Sequence, residues 1–198
     1  MSPQTIIFIG RSGCGKGTQA KLIDAYLRGQ DAQKHPIYYL ETGAGFRDFV
    51  QGKSYTNKLS KEIYDRQDRQ PDYLAIWMWS HLFVEKLTGE EHLIIDGMPR
   101  SLPEAMILNN ALEFYKRRAN VIHLNVSRAL SERRLIERGR GDDSDMKKIG
   151  KRLDWFDRDV VPAIEYFRNH PTHNFIEVNG EQSVERVQAD IITALKTD

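Results

Sequence analysis

Nothing constrains this chain as tightly as the string Gly10-Arg11-Ser12-Gly13-Cys14-Gly15-Lys16-Gly17-Thr18. It follows an apolar run at 5–9 and opens a helical pattern at 16–27. Glycines let successive backbone N–H groups turn inward onto an anion, the start of a helix adds its positive end, and one lysine reaches the outer phosphates. Strand, glycine loop and helix in that order form a site for a nucleotide triphosphate. The strict pattern places Ser or Thr directly after the lysine. Here Gly17 stands there, and the hydroxyl follows one place later at Thr18.

A phosphate loop of this kind needs a parallel sheet behind it, and the remaining pattern supplies one. Short runs rich in β-branched and aromatic residues recur at 5–9, 37–40, 92–95, 121–126 and 174–178, and helical spacing occupies 16–27, 73–87, 104–117 and 183–195 between or after them. Five strands alternating with helices imply right-handed crossovers and an α/β three-layer sandwich, with helices on both faces of a five-stranded parallel sheet. Two stretches fit the alternation poorly. Residues 42–71 are polar and helical, and residues 132–158 are dense in Arg, Asp and Lys. Both read as excursions from a single domain spanning 1–198, which shows no internal repeat and no Pro/Gly linker.

Composition removes several classes of function. Lys+Arg number 29 and Asp+Glu 28, a net charge of +1, which leaves no electrostatic footprint for nucleic acid or an anionic membrane as the main partner. The longest apolar runs are a few residues, where a membrane span needs about 20. Cys14 is the one cysteine, so no internal disulfide forms and a reducing, cytoplasmic setting is expected; Met-Ser-Pro-Gln carries no signal-peptide pattern. The six histidines show no metal-ligand spacing, and Trp77, Trp79 and Trp155 read as packing residues.

A second chemical string is Leu93-Ile94-Ile95-Asp96-Gly97-Met98-Pro99-Arg100. An acid at the carboxyl end of a buried strand lies beside the phosphate loop, where it can hold Mg²⁺ through water. Arg100, just beyond, can fork two donors onto a phosphate. Taken alone, Asp-Gly is also a turn signal.

Together these strings resemble the nucleoside monophosphate kinases, above all adenylate kinase with a short lid. The resemblance rests on the variant loop with Gly17-Thr18, on Asp96-Gly97-x-Pro99-Arg100, on Thr42-Gly43 followed by Arg47, and on the Arg-rich run from Arg134 through Arg138 and Arg140 to Asp142-Asp143. Lys151-Arg152-Leu153, then Pro162, extend it, so the match covers nearly the whole chain. It implies that Mg-ATP donates its γ-phosphate to a nucleoside monophosphate, AMP first among the acceptors, in a monomeric enzyme. It further implies that Gly13, Cys14, Gly15, Lys16, Gly17 and Thr18 hold the donor phosphates, with Lys16 bridging them and Arg134 stacking on the donor base. Thr42, Gly43, Arg47, Gly97 and Arg100 would hold the acceptor, in a monophosphate-binding segment at 42–71. Arg138, Arg140 and Arg152 would close over the transferring group from a lid at about 134–152, with Asp142 and Asp143 holding the lid arginines. The chemistry asks chiefly for fixed cations around two phosphate tails, and the sequence carries them.

The acceptor half departs from the resemblance. AMP-specific members carry Gln four residues after the arginine of Asp-Gly-x-Pro-Arg, and this chain has Glu104. A carboxylate only accepts hydrogen bonds. It suits the amino group of adenine or cytosine, or the N1–H and amino group of guanine, and it opposes the adenine N1 lone pair. Glu104 also suits the first turn of a helix after Pro103. Gln70-Pro71-Asp72 stands where an apolar segment is usual, and Ala44-Gly45 replaces an acid and an apolar residue. GMP, CMP or UMP acceptors and a non-catalytic nucleotide-binding module therefore remain alternatives. A guanine switch would need Asn-Lys-x-Asp, and the nearest string, Asn57-Lys58-Leu59-Ser60, lacks the acid.

Overall fold

The computed structural model describes residues 1–139 and 145–196. Five parallel strands, β1 (Thr5–Gly10), β2 (Ile37–Glu41), β3 (His92–Asp96), β4 (Ala119–Asn125) and β5 (Asn174–Asn179), lie in the order β2-β3-β1-β4-β5. Their period of two shows directly in β1. Ile6 and Phe8 point into one face with Ile94, Ile122 and Ile176, and Ile7 and Ile9 into the other with Leu93, Ile95 and Val121; all four β1 side chains are buried. A strand buried on both faces must be largely apolar, which marks the inner strands β1, β3 and β4, while the edge strands β2 and β5 are only partly buried.

Helices α1 (Lys16–Gln30) and α9 (Val184–Lys196) cover the first face through Ile23, Leu27, Val187 and Ile191. The second face is covered by α4 (Asp72–Lys86), α5 (Leu102–Phe114) and α8 (Val161–Arg168), which bring Trp79, Phe83, Leu108 and Phe167. This is the α/β three-layer sandwich. Two short helices, α2 (Thr42–Phe49) and α3 (Tyr55–Asp65), occupy the first polar stretch. Phe46 of α2 packs with Leu74 and Met78 of α4, and α3 starts at a reciprocal Ser54–Asn57 cap.

The second excursion consists of α6 (Arg128–Arg138) and α7 (Met146–Trp155), joined to α8 by a π-helical turn, Phe156–Val160. Leu135, Ile149 and Leu153 hold α6 and α7 together as a small core of their own. Arg140, Asp142 and Asp143 lie outside the described residues. The order of the strands sets β1 between β3 and β4, so the loop after β1 opens into the crevice beyond the carboxyl ends of the strands, where open α/β sheets bind ligands.

Candidate active site

A cleft of about 610 Å³ occupies that crevice. Its floor is the loop 10–15, where Gly10, Gly13 and Gly15 have φ of 152°, 85° and 102°. At Gly13 no side chain fits, because a Cβ would lie 2.7 Å from the Ser131 carbonyl oxygen on α6. No side chain caps the start of α1, so its first N–H groups are left for a ligand or water. Lys16 Nζ donates to the Gly10 and Arg11 carbonyls at 2.7 and 3.0 Å and lies 3.6 Å from Cys14 Sγ. Cys14 is itself buried.

Asp96 ends β3 beside this loop. Burial pushes its carboxyl above the ordinary carboxylate value, opposed by the charge of Lys16 and by a hydrogen bond that Tyr39 Oη donates at 3.2 Å. A Cβ on residue 17 would stand 3.2 Å from Asp96 Oδ2. The glycine after the lysine, a departure from the strict loop pattern, is what lets this carboxylate come so near the first turn of α1.

A second cationic station faces the first. Arg47 on α2 and Arg100 after β3 converge over Gly43, where a Cβ would lie 3.4 Å from Arg47 Nη1 and 3.6 Å from Arg100 Nη2. Arg47 Nη2 donates to Glu41 at 2.8 Å, and Arg100 Nε donates to the Gly97 carbonyl at 2.6 Å. Thr42 Oγ1 donates to the same carbonyl at 3.1 Å. At the opposite end, Arg134 reaches from α6 to the carbonyls of Gly180, at 3.1 Å, and Cys14, at 3.5 Å. Arg138 and Arg152, from α6 and α7, also line the cleft, as does Thr18 on α1.

Residues 8–172 match the family profile for adenylate kinase. The chain belongs to the adenylate kinase family. It is 29% identical over 187 residues to the adenylate kinase of Flavobacterium psychrophilum, covering 92% of this chain and 93% of that protein. It is 30% identical to that of Azobacteroides pseudotrichonymphae genomovar. CFP2, covering 92% of each. The adenylate kinase of Prochlorococcus marinus strain MIT 9301 is 29% identical, covering 94% of this chain and 95% of that protein. The protein is accordingly a phosphotransferase, a nucleoside monophosphate kinase.

In this adenylate kinase family member several contacts around the cleft escaped the sequence reading. Arg69 is held by Asp72 and by Asp159 of the π-helical turn, the latter at 3.2 Å, and Lys151 on α7 pairs with Asp68 at 3.2 Å. These contacts connect the acceptor-side segment to α7 and the turn after it. The Gln70 amide turns away into α3, exchanging hydrogen bonds with Ser60. Trp155 packs against the main core, as the sequence reading had it, and also borders the cleft, with Arg100 over its ring at 6.0 Å. Glu104 is 2% exposed; burial pushes its carboxyl up, and the Arg100 backbone N–H, the Arg100 guanidinium and the Trp79 indole N–H oppose that shift. Nothing in sequence spacing signals a contact made between α4, α5 and α7.

Among the described residues, Asp31, His35 and His92 come close enough to share a cation. The hydrogen bonding rules it out. His92 Nδ1 accepts the Gln4 backbone N–H at 2.9 Å, so neutral His92 carries its proton on Nε2, the atom that faces Asp31 at 3.4 Å. A protonated nitrogen binds no metal. Burial alone would raise the Asp31 carboxyl, but the His35 backbone N–H and ring, the Met1 ammonium and the Gln33 N–H outweigh it and hold it far below the ordinary value. The cluster ties the N-terminus to the end of α1. No helix among the described residues is long and apolar enough to cross a membrane.

Proposed function

We propose that this cleft transfers the γ-phosphate of Mg-ATP to AMP, giving two ADP. The observation that carries the reading is the pair of cationic stations in one cleft, Lys16 on the phosphate loop and Arg47 with Arg100 over Gly43. A binding module for one nucleotide needs only the first. Adenine as the acceptor's base is supported by the names of the relatives, which are adenylate kinases.

Gly13, Gly15 and the start of α1 would direct backbone N–H groups onto the donor's β-phosphate, with Lys16 bridging β and γ. Arg134 would border the donor base, while Thr42, Gly43 and Gly97 would shape the floor under the acceptor phosphate that Arg47 and Arg100 fork. A side chain at Gly97, where φ is 89°, would crowd the Arg100 guanidinium at 3.3 Å, and one at Gly43 would come into van der Waals contact with both arginines. Segment 42–71 would serve as the monophosphate-binding part and about 134–152 as the lid, bringing Arg138, Arg140 and Arg152 onto the transferring group. Closure of that segment would expel water, which protects ATP from hydrolysis and strengthens every charge interaction inside.

The oxygen donors near the loop fit a hard divalent cation. Asp96 is a buried carboxylate beside Lys16 and Thr18 offers a hydroxyl, so Asp96, through water, and Thr18 would hold Mg²⁺ with the phosphates. When bound, the ion would neutralise charge on the β- and γ-phosphates. No residue is required as a strong base, since the transferring group is largely dissociative and the work is positioning and charge stabilisation.

The test is product analysis by ion exchange after incubation with Mg-ATP and AMP, GMP, CMP or UMP in separate reactions. ADP from AMP, and loss of turnover in Lys16→Met, support the reading. Binding of ATP with no diphosphate formed from any of the four overturns it.

A further inference from the structure

Both oxygens of the Glu104 carboxylate are already engaged inside the protein. Oε2 accepts the Arg100 backbone N–H at 2.5 Å, and Oε1 accepts the Trp79 indole N–H at 3.2 Å. Its own N–H donates to Ser101 Oγ at 3.3 Å, and Ser101 in turn donates to Asp72 at 2.6 Å. Two N–H donors from different elements therefore converge on one side chain that is almost fully buried at the wall of the cleft, and each needs an acceptor there. Only a carboxylate presents two acceptor oxygens, one to each donor. A glutamine amide supplies one, so whichever way it is turned, its NH₂ group faces either the Arg100 or the Trp79 N–H. A neutral glutamic acid has the same difficulty. The residue type at 104 is thus fixed from within, by Trp79 on α4 and the turn after β3.

The consequence lies one residue away from the carboxylate. Arg100 is held at both ends, its backbone N–H by Glu104 and its Nε by the Gly97 carbonyl at 2.6 Å. These two bonds aim the guanidinium over Gly43. We propose that Glu104 is a positioning residue for Arg100, fixing the arginine that takes the acceptor's phosphate, and is not the group that reads the acceptor's base. This rests on the assignment of Arg47 and Arg100 to the acceptor phosphate. The substitution of an acid at this position then carries no change of base preference, and Trp79 is its structural cause.

Initial rates with Mg-ATP and each of the four monophosphates, on the wild type, E104Q, W79F and W79F/E104Q, test the proposal. A misaimed Arg100 weakens the acceptor phosphate whatever base it carries. In E104Q the KM for each accepted monophosphate should rise by a common factor of about tenfold. The rank order of bases should be unchanged and the KM for ATP should stay within about twofold. Removing the indole N–H removes the donor conflict, so W79F/E104Q should recover most of the lost acceptor affinity. If E104Q does not fold, the double variant is read for rank order in its place. A changed rank order in either variant, no recovery in the double variant, or a fall in kcat with every KM unmoved overturns the proposal. A wild type that phosphorylates none of the four overturns the acceptor assignment and this proposal with it. An active wild type with a reordered E104Q overturns the proposal alone.

Discussion

Gly17 illustrates how a single missing side chain can shape a charge arrangement. The family's loop differs from the strict phosphate-loop pattern at this position, and the geometry supplies the reason: a methyl group there would stand 3.2 Å from Asp96 Oδ2. That distance is tight, and the carboxylate can yield only by moving away from the start of α1. Gly17→Ala should therefore fold, because residue 17 takes ordinary helical backbone, and should need several-fold more Mg²⁺ for half-maximal rate. A magnesium titration at fixed ATP, beside a thermal melt, checks this. Gly13→Ala should behave differently. Its φ of 85° and its 2.7 Å approach to the Ser131 carbonyl leave no room to yield, and a loss of about 2 kcal/mol or more in urea unfolding is expected. Both loop residues were visible in the sequence as glycines of a motif. Why each must be glycine was not, since Ser131 and Asp96 arrive from far along the chain.

Elements were legible where one physical cause decided them. The inner strands β1, β3 and β4 lie buried on both faces and are marked by near-continuous apolar runs, while the edge strands β2 and β5 are only partly buried. All five appear within a residue or two of where the pattern puts them. Helices α1, α4, α5 and α9 carry apolar stripes and were readable for that reason. Contacts made between elements were not, and His173 is an example. Its Nδ1 accepts the Ala119 N–H at 3.2 Å where β4 begins, and its Nε2–H donates to Asn109 on α5 at 2.8 Å. Burial first, then the neighbouring His170, lowers its pKa to about 4 from an ordinary 6.5. Below pH 6.5 the unfolded chain takes up a proton that the folded protein refuses. Stability from this group is complete above 6.5 and falls as pH drops toward 4, by up to about 3 kcal/mol, with no further loss below that. His173→Gln keeps one acceptor and one donor without the titration. Its urea-unfolding free energy should be flatter than that of the wild type between pH 7 and 4, with the two curves diverging as pH falls.

At the scale of the whole molecule, a net charge of +1 conceals a cleft lined by Lys16, Arg47, Arg100, Arg134, Arg138 and Arg152. Sequence composition could not show that concentration, because among the described residues only Glu41, Asp68, Asp96 and Glu104 join these cations in the cleft and other acids make ties outside it. One such tie runs from the phosphate loop itself. The Arg11 guanidinium lies 4.4 Å from the centroid of the Phe156 ring and pairs with Asp157 at 2.6 Å. Asp157 also takes Arg128 at the start of α6 at 3.2 Å, and Arg128 takes Asp154 on α7 at 2.6 Å. The two Arg128 pairs are substantially exposed, so each is worth at most about 1 kcal/mol and weakens with salt. Their position gives them more reach than their energy, since the Arg11 carbonyl is one of the two carbonyls that hold Lys16 Nζ. Releasing the Arg11 side chain frees the peptide that orients the lysine. Arg11→Ala should lower stability by only about 1–2 kcal/mol, the sum of a cation–π contact and a partly exposed ion pair. Its KM for ATP should rise by about three- to tenfold, while the KM for the monophosphate stays near that of the wild type. Steady-state kinetics in each substrate at 0.05 and 0.5 M NaCl would separate the contributions. Asp157→Asn should reproduce the ATP effect in part at low salt and converge on the wild type at high salt, because the wild type loses the same pairing there. An equal rise in both KM values would place the tie's influence on the whole cleft rather than on Lys16.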